Sequence, residues 1–155
     1  MPHSLNRLLV ASCLALALTG CEGPTTVTED QFRSREISLP GGKKIRVEVV
    51  THPIDMMRGM MFRDSLAADR GMLFIHGEPG NYSYWMYQVR VPLDIIWMDR
   101  SRRIVEISAN TPPCKSEKGS ECPKYGGTKK ALFVLELAGG MAARYRLDVG
   151  GEISF

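Results

Sequence analysis

Between Val91 and Asp99 the chain reads VPLDIIWMD, and this stretch limits the possible folds more tightly than any other. On a strand, Leu93, Ile95 and Trp97 share one face, while Pro92, Asp94, Ile96 and Met98 share the other. Both faces are apolar, so the strand calls for a sheet covered on both sides. Asp94 lies in the middle of it. A carboxylate left unpaired there would cost several kcal/mol or keep its proton, so it needs a donor. ALFVLEL (Ala131–Leu137) raises the same question through Glu136, which shares its face with Leu132 and Val134.

The remaining pattern is mostly period two. KKIRVEVV alternates Ile45, Val47 and Val49 against Lys44, Arg46 and Glu48, as a half-exposed strand does. In HPIDMMRG, Pro53 suits the first helical position, Asp55 the positive end and Gly59 a left-handed stop, which predicts a short helix. GMLFI is an apolar strand, GEPGNYS a turn, DRSR a turn with solvated arginines (Arg100, Arg102, Arg103), and RIVEIS a returning strand. GGMAARYRL allows one or two helical turns, and GGEISF a turn with a last strand. Trp97 and Phe133 are expected in the core. The expectation is a mostly β, single-domain β-sandwich or barrel-like fold with one or two short helices, over residues 36–155.

Residues 1–20 have the form of a targeting segment. Arg7 precedes the apolar run LLVASCLALAL, which is too short to cross a bilayer. The run ends in LTGC, which resembles a bacterial lipobox and implies cleavage before Cys21, with lipid on its sulfur. Residues 21–35 then form the lipidated Cys and a polar tether. Glu22 is not the aspartate that commonly retains lipoproteins at the inner membrane. That places the expected location in the cell envelope, at the periplasmic face of the outer membrane. The expected partners are the membrane, through the lipid, and a small-molecule or saccharide ligand. Of the 20 basic residues only Arg7 leaves with residues 1–20, so 19 face 17 acidic ones. This mixed balance carries no basic stripe for nucleic acid. Cys13 leaves too and Cys21 takes lipid, so Cys114 and Cys122 remain as a pair, expected as a disulfide in an oxidising compartment. A metal or redox pair is the alternative, although seven intervening residues do not match C-x-x-C.

RGMMFRDSL, DRGMLFIH, YWMYQVRVPLDIIWMD, KYGG, ALFVLELAGGMAARYRL and GGEISF are similar, in order and spacing, to the domain of unknown function 192 family. The resemblance covers Ile45–Phe155. It implies a compact, mostly β domain, often exported, and transfers no catalytic residues. Where that family tends to have Lys-Asn-Thr this chain has Tyr87-Gln88-Val89, and it has Gly150-Gly151-Glu152 where Gly-Asp is common.

Three chemistries compete for the polar residues. In the first, Arg58 grips Asp94 as an internal brace between helix and sheet, with Glu136 bonded to loop backbone. In the second, Arg58, Asp94 and Glu136 floor one cleft beside Trp85 and Met86. That cleft would bind a small polar or saccharide-like ligand, or hydrolyse one with Asp94 and Glu136 as acid and base. The third is Cu(I) held by thioethers among Met56, Met57, Met60, Met61, Met72, Met86 and Met98, with His52 and His76 near in sequence. Methionine is also a common filler of irregular cores. G-x-S-x-G, a phosphate loop and H-E-x-x-H are absent. A binding or accessory module without a cofactor is the leading expectation, with the catalytic residues unknown.

Overall fold

The computed structural model describes residues 32–155; the lipobox, Cys21 and most of the tether lie outside the described residues. In chain order the elements are β1 (Ser34–Ser38), β2 (Lys44–Val50), α1 (Pro53–Arg58), β3 (Arg70–Gly80), β4 (Tyr84–Trp85), β5 (Leu93–Met98), β6 (Ile104–Thr111), β7 (Lys124–Tyr125), β8 (Ala131–Ala138) and α2 (Met141–Arg144). Six strands form one sheet in the order β1-β2-β3-β8-β5-β6, and β4 pairs with β7 in a separate ribbon. β2 and β3 run parallel, as the crossover through α1 allows, and the other pairs are antiparallel.

β5 lies between β8 and β6, and all six of its residues are buried. That is the two-faced burial its apolar run calls for. Register then assigns the faces. Val49, Leu73, Leu135, Ile96 and Ile107 lie side by side across the sheet, and all face one core, with Ile37, Ile153 and Ala142 of α2. The next row, Glu48, Met72, Glu136 and Ile95, faces a second core with Phe74, Trp97 and Met86. The turn after α1, the β4–β7 ribbon and the segment after β4 cover that second face.

α1 begins at Pro53 and stops at Gly59, whose φ of 44° suits a residue without a side chain. GGMAARYRL contributes the single turn α2. β3 runs further than GMLFI and continues through GEPG, with a register shift before Gly80. β2 also departs from simple alternation. Glu48 is buried rather than exposed, because this end of the strand is covered on both sides, as Val50 on the same face shows.

The mostly β expectation holds, as one six-stranded mixed sheet that does not close into a barrel. β1 and β6 are the two edges and do not pair with each other. Instead the C-terminal segment touches both. Ser38 and Ser154 exchange backbone bonds of 2.8 and 2.9 Å, and the Ile104 N–H donates to Gly151 at 2.8 Å. Arg102 and Arg103 grip the same segment through the carbonyls of Phe155 and Gly150, so they are more than a solvated turn. Trp97 is fully buried and donates to the Tyr82 carbonyl at 2.7 Å. Phe133 packs against the first core, edge-on to Phe155.

Candidate functional site

Asp94 points into the first core and is satisfied entirely by backbone. Its Oδ1 accepts the N–H groups of Asn110 (2.6 Å) and Gly140 (3.1 Å), and its Oδ2 accepts that of Ala142 (2.6 Å). The carboxylate therefore ties β5 to the end of β6 and to the start of α2, where amides lack helical acceptors. It is a brace, but Arg58 is not its partner. Arg58 ends α1 at the surface, and among the described residues no acid pairs with it. The buried arginine is Arg63, five residues on, after the chain has turned inward through Met60. Its Nη1 and Nη2 grip Glu48, Nη2 at 2.9 Å, and both side chains are almost wholly enclosed. The Phe32 N–H adds a bond to the same carboxylate at 3.3 Å.

Glu136 faces the other way. Asp94 lies opposite Leu137, and Ile95 lies opposite Glu136, so the two acids point to opposite faces of the sheet. They cannot flank one bond, and the two-carboxylate hydrolase has no geometric basis. Glu136 is 4 % exposed, and its Oε2 has no hydrogen-bond partner among the described residues; the Arg63 Nε is likewise unpartnered. Burial pushes the Glu136 carboxyl up to about 8, against the opposing pull of the Arg63 charge. At neutral pH it holds its proton.

This carboxyl lies at the floor of a narrow cleft of about 20 Å³, room for a single hydroxyl or water, between the α1–Met61 turn on one side and Tyr84, Trp85 and Tyr87 on the other. Phe74 and Val89 complete its apolar lining. An adjoining, more open groove of about 220 Å³ shares Met56, Met57, Tyr84 and Trp85 and adds His76, Tyr82 and Lys124. Together they have the composition of a small-ligand site: mostly apolar and aromatic, with few polar groups. The Tyr84 hydroxyl and His76 Nε2 are 3.2 Å apart. Burial first, then the charges of Glu136 and Tyr82, push the Tyr84 phenol up, so it stays protonated. Burial lowers the imidazole of His76, whose ring stacks on Tyr82 at 3.5 Å.

The disulfide loop packs against Trp85. Cys114 and Cys122 are bonded, as expected from their pairing. Gly119, inside that loop, lies so close to Trp85 that a Cβ would come within 2.8 Å of the indole. β7 then lays Lys124 across the same ring, its Nζ 4.3 Å from the centroid.

Of the five expected site residues, Arg58, Trp85 and Glu136 converge on the cleft. Met86 is fully buried in the core beneath, and Asp94 lies on the far face. Arg63, Glu48, Tyr84 and Lys124 were not expected. The methionines divide: Met60, Met72 and Met86 fill the second core, Met98 fills the first, and Met56, Met57 and Met61 line the cleft. No group of three or more His, Cys, Asp or Glu that could hold a metal occurs among the described residues.

Comparison with known proteins agrees with this architecture. A protein of unknown function from Novosphingobium aromaticivorans DSM 12444 is 27% identical, with a TM-score of 0.74 over 86% of this chain and 94% of its own. A proposed transcription regulator from Sinorhizobium meliloti 1021 is also 27% identical, with a TM-score of 0.72 over 82% of this chain and 97% of its own. A search of curated proteins found no match. The profile of DUF192, described as "Uncharacterized ACR", matches residues 36–155, the whole of the sheet apart from the first two residues of β1. The curled sheet with its Glu136 cleft is therefore the domain of a DUF192 protein, and the chain belongs to that family.

Proposed function

We propose that the chain is an envelope accessory protein, lipid-anchored through Cys21 at the periplasmic face of the outer membrane, whose cleft binds a small saccharide-like ligand without turning it over. One observation carries the binding reading: a buried carboxyl, Glu136, whose Oε2 has no partner among the described residues, at the floor of an aromatic-sided cleft. A protonated carboxyl donates to a sugar hydroxyl that enters the inner cleft, and the aromatic side of the outer groove, Tyr82, Tyr84 and Trp85, suits the apolar face of a pyranose. Turnover is disfavoured because no second acid lines the cleft among the described residues; Asp94 is saturated on the opposite face. The disulfide fits an oxidising compartment, which supports export.

Titration of the full chain with N-acetylglucosamine and its β-1,4-linked dimer, followed by tryptophan fluorescence, tests the binding. The expected result is a saturable change that Glu136→Ala removes, with the sugar recovered intact. No change with any saccharide of a broad panel refutes the reading. Cys21→Ser should release the protein from membranes, and continued retention removes the anchor.

A second reading, Cu(I) binding, is favoured by the convergence of Met56 and Met57 with His76 in one groove, which their sequence spacing does not suggest. Lys124 in the same groove opposes it. Titration with Cu(I) under reducing conditions, with His76→Ala as control, decides it.

A further inference from the structure

We infer that the ligand of this cleft is an acidic sugar, whose carboxylate is held at the rim by Arg58 and Lys124 while a neutral hydroxyl reaches Glu136. The inference rests on the saccharide reading above and adds the sign of the ligand's charge.

The two hollows share four lining residues and form one recess with a floor and a rim. Among the described residues Glu136 is the only acid lining either, and it lies at the floor, where burial keeps it neutral. Both lining residues with a permanent charge are cations: Arg58 beside the floor cleft and Lys124 beside the outer groove. Neither has an acidic partner among the described residues, although four other surface pairs are matched, such as Lys44 with Glu36 and Arg90 with Asp64. Lys124 is also held in place, on the ring of Trp85. A cationic ligand would enter against two like charges and would meet a protonated acid. An anionic one is drawn to the rim and leaves Glu136 free to act as a donor.

The groups facing Glu136 define how binding responds to pH. Arg63 approaches it from the turn after α1 with its charge committed to Glu48, Tyr84 faces it from β4 with His76 behind, and Arg58 shares its cleft. Tyr84 stays protonated over the range from neutral to mildly alkaline. The titrating group of the floor is therefore Glu136. A bound carboxylate favours its protonated form, so affinity declines as pH rises past about 8.

The test uses the full chain with D-glucuronate, D-glucose and D-glucosamine, which share one ring and differ in charge. At low salt and about pH 6, glucuronate should bind about tenfold tighter than glucose, and Arg58→Ala/Lys124→Ala should erase most of that ratio. Raising the pH to about 9 should weaken glucuronate binding to the native chain but not to Glu136→Gln, whose amide donates at every pH. Equal binding of glucuronate and glucose overturns the inference and leaves the saccharide reading intact. Preference for glucosamine overturns it in favour of a cation. Failure of all three, in a chain whose circular dichroism and melting temperature are native, counts against both.

Discussion

Replacing Asp94 with asparagine separates two ways of holding a buried charge. The carboxylate accepts three backbone N–H bonds, two on Oδ1 and one on Oδ2. An amide has one acceptor oxygen. Placed at the Oδ1 position, it keeps Asn110 and Gly140 but turns its own NH2 toward the Ala142 N–H. That orphaned donor costs about 1–3 kcal/mol, and loss of charge from the other two bonds costs about 1 kcal/mol each. The total is about 3–5 kcal/mol. For a domain of this size each kcal/mol lowers the melting temperature by about 4 °C, so the variant should melt about 12–20 °C lower. Urea unfolding followed by circular dichroism gives the free energy directly. Arg58→Ala, measured alongside, should change stability by less than about 0.5 kcal/mol, as exposed sites do. An Asp94→Asn variant within about 1 kcal/mol of the native chain, or an equal loss on Arg58→Ala, would show that these amides do not hold the charge.

Glu136→Gln should act in the opposite sense. The carboxyl is raised from the usual glutamate value of 4.5 to about 8 in the folded state, so its proton supports folding fully below about pH 4.5 and progressively less up to about pH 8. The variant should therefore gain on the native protein by up to about 1.4 kcal/mol per pH unit across that window, measured by urea unfolding at several pH values, and a flat difference refutes the raised carboxyl. Arg63→Ala strands Glu48 in the core and should cost about 3–5 kcal/mol, whereas Arg63→Met with Glu48→Leu should recover most of it. Both are read from denaturant midpoints; an equally unstable double variant would mean that the cost is lost packing. Replacing Cys114 and Cys122 with serine should cost about 2–3 kcal/mol and shift the emission of Trp85, since the loop that carries Gly119 is released. Unchanged emission would detach the disulfide from the cleft wall.

The backbone of the fold was legible wherever one residue's chemistry dictates one conformation. Pro53 and Gly59 mark the ends of α1, and the two apolar faces of β5 demand cover on both sides. The site was legible only in part. That Asp94 required a donor followed from burial, but backbone amides leave no signature in a sequence, so Arg58 stood out as the visible cation. Period two assigns faces within a strand but not between strands. Only the register of β5 against β8, Asp94 to Leu137, sends Asp94 and Glu136 apart, and a slip of one residue would have reunited them. Glu48 was hidden by its place in an alternating strand, though Val50 on the same face hinted at cover there. Lys124 reaches Trp85 because β7 pairs with β4, a contact between two-residue strands that no pattern announces.

The segment that spans Gly150 to Ser154 gives the domain a zip fastener. An exposed sheet margin invites another chain to add a strand, and here one short stretch occupies part of both margins while Ile153 is sunk in the interior. Neither side can fray there without loosening the other. Removing those few residues would create two sticky borders at once and leave a molecule more prone to self-association.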